Sequence, residues 1–261
     1  IYVSANGSAD LHIAENEAYG AGYGIAVSGA TARVYGNDVH DNTTGIHSWY
    51  STSSAYYGND VYDNATGVYG WGAFGGTDWS AGQVNRIHGN TTGVEAASGT
   101  ELRFSRIYGN DVGVEITGAA EVHHNVIFRN ATFGVLVDDG NTVALTNNTV
   151  YAPAGDAVRV RNVSRNVALR NNILWARAGY DLHVARDSQE GFDSDYNNLF
   201  ASDSGRLVWW QKPFDDLFDW QVEADFDSHS IGTTALAPTL DAPQFVDRAG
   251  DDYHLTAAAS T

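Results

Sequence analysis

The 261-residue chain contains no cysteine and no methionine, four prolines and a single lysine. Without cysteine there is no disulfide framework, no thiolate nucleophile and no cysteine-built zinc site. Lack of both oxidisable sulfur side chains fits an exposed, oxidising setting. Basic residues number 14 against 32 acidic ones, for a formal net charge of −18. That balance excludes the basic face that nucleic acids and anionic membranes require. No apolar run approaches the ~18 residues of a membrane-spanning helix. The chain opens without Met or a signal peptide and reads as a mature or excised segment.

What is abundant is repetition. Val34 to Val137 states one pattern five times: Asn, any residue, Val or Ile, an aromatic or His, any residue, Asn, then Gly-Val or Gly-Ile. The marker glycines are Gly24, Gly45, Gly67, Gly93, Gly113 and Gly134, at steps of 21, 22, 26, 20 and 21 residues. Ala157 and Asp181 continue the series. A period this short, with apolar residues alternating at period two as in Gly113-Val-Glu-Ile116, predicts coils of about three short strands. Stacked coils place like residues about 4.8 Å apart in columns. One inward column is Val39, Val61, Ile87, Ile107, Ile127, Val150 and Leu174; another is Ile25, Ile46, Val68, Val94, Val114, Val135, Val158 and Leu182. Two Asn columns are expected to hydrogen-bond along the axis: Asn37, Asn59, Asn85, Ser105, Asn125, Asn148, Asn172, Asn198, and Asn42, Asn64, Asn90, Asn110, Asn130. The marker glycines are expected where the chain needs an unusual φ.

This repeat resembles the right-handed parallel β-helix family over about residues 11–200. The resemblance implies an all-β solenoid of eight to nine coils. It does not select an activity, because the family spans polysaccharide lyases, hydrolases, mannuronan epimerases, tailspikes, adhesins and surface-layer modules. The sharper family signatures do not transfer. No Tyr-Gly-Phe/Val-Asp-Pro-His-like epimerase run is present. The one lysine, Lys212, lies in the tail, away from where a lyase base would stand. Asp138-Asp139-Gly140 is a lone fragment of the polygalacturonase set and reads better as a turn.

The chain divides into a β-helix, 1–200, and a C-terminal capping segment, 201–261, in which Phe245, Tyr253 and Leu255 are expected to cover the core. No cap precedes the first coil, which leaves an edge open to pairing with another copy. Two longer insertions follow Ile46 and Val68 and bring out Trp49, Tyr50, Trp71, Phe74 and Trp79 at neighbouring coils. Such aromatics serve sugar stacking or protein docking, or simply pack together.

The outward position after each Gly-Val step forms the column Ala26, His47, Tyr69, Glu95, Glu115, Leu136, Arg159, His183. Glu95 and Glu115, one strand spacing apart, have the geometry of a retaining glycosidase pair or half a Ca2+ site. Tyr69 and His47 stand where an acid or base would, and Arg103 and His123 project from the neighbouring strand. Against this, stacked carboxylates on a solenoid are commonly just solvated. A second outward stripe, His40, Tyr62, His88, Tyr108, Phe128, Tyr151 and Trp175, reads as a self-stacking ladder before a sugar track. Asp193/Asp195, Asp225/Asp227 and Asp247–Asp252 suggest Ca2+ without matching a calcium motif. Among the Asn-x-Ser/Thr sites, Asn6 and Asn162 are the ones a glycosyltransferase could reach.

Two functions remain from sequence. The favoured one is a secreted or cell-surface structural or adhesive module that associates with other copies of itself. The alternative is a polysaccharide-acting enzyme or glycan-binding module. Its working residues would be Glu95, Glu115, Tyr69 and His47, flanked by Trp49, Tyr50, Trp71, Trp79, Arg103, His123 and Arg159.

Overall fold

The structure is a computed structural model that describes residues 1–50, 53–233, 239 and 242–256, leaving the side chains of 5–10 aside. The predicted columns exist. Twenty-four strands join in one ladder system, almost all parallel, as an all-β right-handed solenoid of about nine turns. Each coil has three faces. For one coil these are Ser105–Tyr108, Val112–Ile116 and Ala120–His123, after which Val126–Phe128 stacks over Ser105–Tyr108.

Burial follows the period-two alternation. Val39, Val61, Ile87, Ile107, Ile127, Val150 and Leu174 form one dry column, and Ile25 through Leu182 another. The second Asn column forms a continuous ladder, and the first runs from Asn16 to Asn85 and resumes at Ser105, whose backbone N–H donates to Asn125 Oδ1. In the second, each Oδ1 accepts from the backbone N–H and the Nδ2 of the Asn one coil earlier. The first ladder ends differently from expectation. Asn197, not Asn198, accepts from Asn172, because Asn198 is in register with Ile173. The ladder then closes on Asp227 and Ser230.

The marker glycines also have another cause than the one expected. None has a positive φ. A Cβ on Gly93 would lie 2.5 Å from the Gly113 carbonyl oxygen and 2.9 Å from Asn110 Nδ2. They are glycines because successive coils approach too closely for a side chain. The left-handed positions fall one residue before the Asn, at Gly36, Gly58, Gly89 and Gly109, with φ of 63° to 66°.

The end is closed from within residues 201–261, but by other residues than Phe245, Tyr253 and Leu255. The coils continue past residue 200, since Asn198–Trp210 pairs with Ile173–Val184. Phe214, Leu217 and Trp220 then cover the bore, the last two on the helix Leu217–Ala224. Asp216 caps that helix by accepting from the amides of Phe218 and Asp219. Trp220 Nε1 donates to the buried Asp227 carboxylate at 2.9 Å. Phe245 and Tyr253 instead lie along the outer aromatic stripe, and Leu255 is exposed. They go there because that stripe is the apolar surface left uncovered once the helix has closed the bore.

Candidate functional site

The face that follows the marker glycines carries the proposed column in register, coil by coil. Ala26 pairs with His47, His47 with Tyr69, Tyr69 with Glu95, Glu95 with Glu115, Glu115 with Leu136, Leu136 with Arg159 and Arg159 with His183. Trp209 extends it.

The column changes character along its length. At one end His47 is only 7% exposed and sits among Tyr23, Trp49 and Tyr69, with ring centroids within 5 Å. Neither ring nitrogen has a hydrogen-bond partner, and burial lowers its pKa to about 4. His47 is therefore a neutral ring in an aromatic cluster at neutral pH. Tyr50 meets Trp71 edge-on at 4.5 Å beside it, so the two insertions do emerge together. Phe74 turns inward and stacks on the buried Tyr56.

In the middle stand Glu95 and Glu115. Neither forms a hydrogen bond or salt bridge among the described residues, although both are partly buried. Burial raises both carboxyls above the ordinary range. The Glu115 charge adds to the shift at Glu95, and Asp138 adds to it at Glu115, where Arg161 opposes it. Beyond them Arg159 pairs with Asp156 at 2.9 Å, its Nε buried without a partner, and Arg161 pairs with Asp138.

Arg103, His123 and Trp79 belong to a second constellation on the next face. Arg103 and His123 both bond Glu101, at 2.5 and 3.0 Å. His123 Nδ1 lies 3.0 Å from His124 Nδ1, and His124 Nε2 lies 3.3 Å from Asn147 Nδ2. The proton directions agree in one chain: Asn147 donates to His124, His124 to His123, and His123 to Glu101. Sequence reasoning missed Glu101, His124 and Asn147. For His124 and Asn147 the signal was positional, since both, like Phe104, occupy the left-handed residue before the Asn ladder and so fall at one corner. The glycosylation candidate Asn162 is exposed, with its amide bonded to Asp138, while the Asn6 side chain lies outside the described residues.

The Asp-rich stretches are engaged elsewhere. Asp193 pairs with Arg170, Asp195 with His229, Asp251 with Arg129 and Asp252 with His254. Among the described residues no group of three or more His, Asp or Glu is disposed around a metal position. Lys212 pairs with Glu223 at the cap, far along the chain from the glutamates.

Two family models match parts of the chain. One is described as "Right handed beta helix region", over residues 1–71, and the other as "Periplasmic copper-binding protein (NosD)", over residues 83–206. The residues do not fit a copper centre. Cys and Met are absent, and the outer nitrogens of the one His pair are taken by Glu101 and Asn147. No curated protein matches by sequence. Among solved structures, two A-modules of mannuronan C-5 epimerases from Azotobacter vinelandii superpose with TM-scores of 0.50 and 0.52. Each is 16% identical and covers 81% of this chain. The chain spans 64% and 63% of their lengths, less than two thirds of each. No helix among the described residues is long and apolar enough to cross a membrane. By its coils and ladders the chain has the right-handed parallel β-helix fold, and the two family models and the solved structures are similar to it in that fold.

Proposed function

We propose that the chain acts on a polysaccharide laid along the marker-glycine face, outside the cytoplasm. The observation that carries this is the Glu95–Glu115 pair: in register, partly buried, unbonded, and set between an aromatic cluster and two arginines. A purely solvated charge column would be exposed, or paired with the arginines one coil further on. Two carboxyls on adjacent strands stand about 5 Å apart, the separation of a retaining acid and nucleophile. Burial raises both carboxyls, and the Glu115 charge raises Glu95 further, which favours one proton held between the pair for donation to a leaving oxygen.

Tyr69, Trp49, Trp71 and Tyr50 give the glycan its stacking surface, and Arg159 and Arg161 give hydroxyl or carboxylate contacts further along. His47 is given a packing role beneath the aromatic cluster, because its nitrogens reach no polar atom. The epimerase A-modules, which act on mannuronan by their own names, support the substrate class through fold likeness only. A neutral or sparsely charged glycan suits this acidic face better than a polyuronate.

Incubation with neutral and uronate polysaccharides, read by new reducing ends and by unsaturated products, tests the reading. Turnover should vanish in Glu95→Gln and Glu115→Gln while both variants keep the fold. No turnover and no glycan binding, together with concentration-dependent filaments in electron micrographs, would instead favour the self-associating module.

A further inference from the structure

Away from the glutamate face, a cavity of about 390 Å3 opens at the corner where the C-terminal hairpin crosses the coils. Arg129, Tyr151, Pro153, Arg177, Arg248 and Ala249 line it. We infer that this cavity binds a small organic acid, seating one carboxylate or sulfate group on Arg248 and Arg177.

Three observations carry the assignment. The first is charge. Three of the chain's 14 basic residues meet around this one cavity, in a protein with a formal net charge of −18. Two of the three are offset by carboxylates. Arg129 pairs with Asp251 and donates to the Ala249 carbonyl at 3.1 Å, and Arg177 pairs with Asp203. Arg248 forms no side-chain hydrogen bond or ion pair among the described residues; its contacts are with aromatic rings. Its charge is the one left for a ligand.

The second is the way Arg248 is held. Its guanidinium carbon lies 4.3 Å from the centre of the Trp175 ring and 5.2 Å from that of Tyr151. Contact with a ring takes the face of a guanidinium and leaves its N–H edge, a fork that matches the oxygens of a carboxylate or a tetrahedral oxyanion. The rings are themselves fixed, because Tyr151 and Trp175 are in register on adjacent strands. The fork is therefore preorganised, and little side-chain freedom is lost on binding.

The third is the supply of further donors and of space. Arg177 gives its Nε to Asp203 and lies against the Tyr151 hydroxyl, which leaves others of its five N–H groups for a ligand. Pro153 and Ala249 supply an apolar wall for the body of the ligand. The volume falls within the ~300–1,000 Å3 of pockets that hold small molecules and takes a sugar ring with its acid group. The lining strand Thr149–Ala152 belongs to a different face from Val112–Ile116, so this site stands whether or not the glutamates turn glycans over.

The test uses the full chain with glucuronate, glucose 6-sulfate, inorganic sulfate and methyl β-glucopyranoside as probes. Nitrogen-15 NMR of the arginine Nε–H groups and the backbone amides reports both affinity and place. The expected result is binding of at least one of the two acidic sugars at millimolar concentration, with shifts at Arg177, Arg248 and Ala249 and none from the neutral glycoside. Arg248→Gln should weaken that binding roughly tenfold, the range of one charge-assisted hydrogen bond. Because this variant also removes the stack on Trp175 and can loosen the hairpin, Arg177→Gln provides a second measure from the coils. It should weaken binding roughly threefold or more while the Tyr253 amide keeps its position. Failure of both acidic sugars to bind overturns the inference and leaves Arg248 a clamp for the hairpin. So does inorganic sulfate binding as tightly as either sugar, which would mean an adventitious ion only, or binding that both substitutions leave unchanged.

Discussion

Replacing Asn110 by alanine tests the internal ladder near its middle. Asn110 is 1% exposed. Its Oδ1 accepts from the Asn90 backbone N–H at 2.9 Å and from Asn90 Nδ2 at 3.0 Å. Its Nδ2 donates to the Ile87 carbonyl at 3.2 Å and to Asn130 Oδ1 at 3.0 Å. Alanine removes four hydrogen bonds worth ~1 kcal/mol each and orphans a buried backbone donor, for a loss of about 4 kcal/mol. Asn16 at the first coil is the control. It is only partly buried, and its amide donates to Ala14 and Asn37 but accepts from no earlier coil. Asn16→Ala should cost about 1 kcal/mol, since water replaces what is lost. Urea unfolding followed by tryptophan fluorescence gives both values by linear extrapolation. Hydrogen exchange at the Asn90 amide shows whether the damage is local. Equal losses in the two variants, or an Asn90 amide still protected in Asn110→Ala, would refute the claim that the ladder stabilises each coil through the next.

Gly93→Ala places a methyl 2.5 Å from the Gly113 carbonyl and should cost about 1–3 kcal/mol by overpacking, whereas Gly22→Ala, with open space around it, should be neutral; the same urea titration separates them. Two groups on the column give opposite pH signatures. For His47 the folded pKa, about 4, lies below the ordinary 6.5, so the unfolded chain takes the proton first. Its contribution is present above 6.5 and is lost as pH falls towards 4, roughly 3 kcal/mol when complete; His47→Phe should flatten the acid limb of stability against pH. For Glu95 and Glu115 the folded pKa is raised above 4.5, so the folded chain holds the proton longer. Their contribution is present below 4.5 and is lost as pH rises through the raised values, so Glu95→Gln should raise the urea midpoint near pH 7, with the gain fading as the pH approaches 4.5.

The columns were legible because a solenoid converts sequence period directly into spatial neighbourhood. Val39, Val61 and Ile87 are one step apart in the repeat and one strand apart in space. The same logic placed Glu95 beside Glu115 and Arg103 beside His123. It failed where contacts leave the period. Tyr253 reaches Phe128 and Tyr151 across more than a hundred residues, and no repeat encodes that distance. It also failed where two residues of one type are adjacent, as at Asn197 and Asn198, because a shift of one residue exchanges inside for outside. For the marker glycines the pattern showed the position, but only the distance to the next coil showed the reason. The Glu101–His123–His124–Asn147 chain was hidden because it runs diagonally, from two strand residues to two residues at the following corner on successive coils, and so follows no single column.

The outer stripe of Tyr19, His40, Tyr62, His88, Tyr108 and Phe128 stacks at 4.8 to 5.3 Å with planes within 12° of parallel. Tyr253 then wedges against Phe128 and Tyr151, and beyond it Tyr151 and Trp175 meet edge-on instead. Every step of the regular part presents the same surface above and below. Such a molecule can gain or shed whole turns by duplication or excision and still find matching contacts at the new junction. A partial turn would offset every stack that follows it. Length in this architecture therefore changes in units of one full turn, and the docked hairpin sets which turns are fixed, because its wedge has a single address along the stripe.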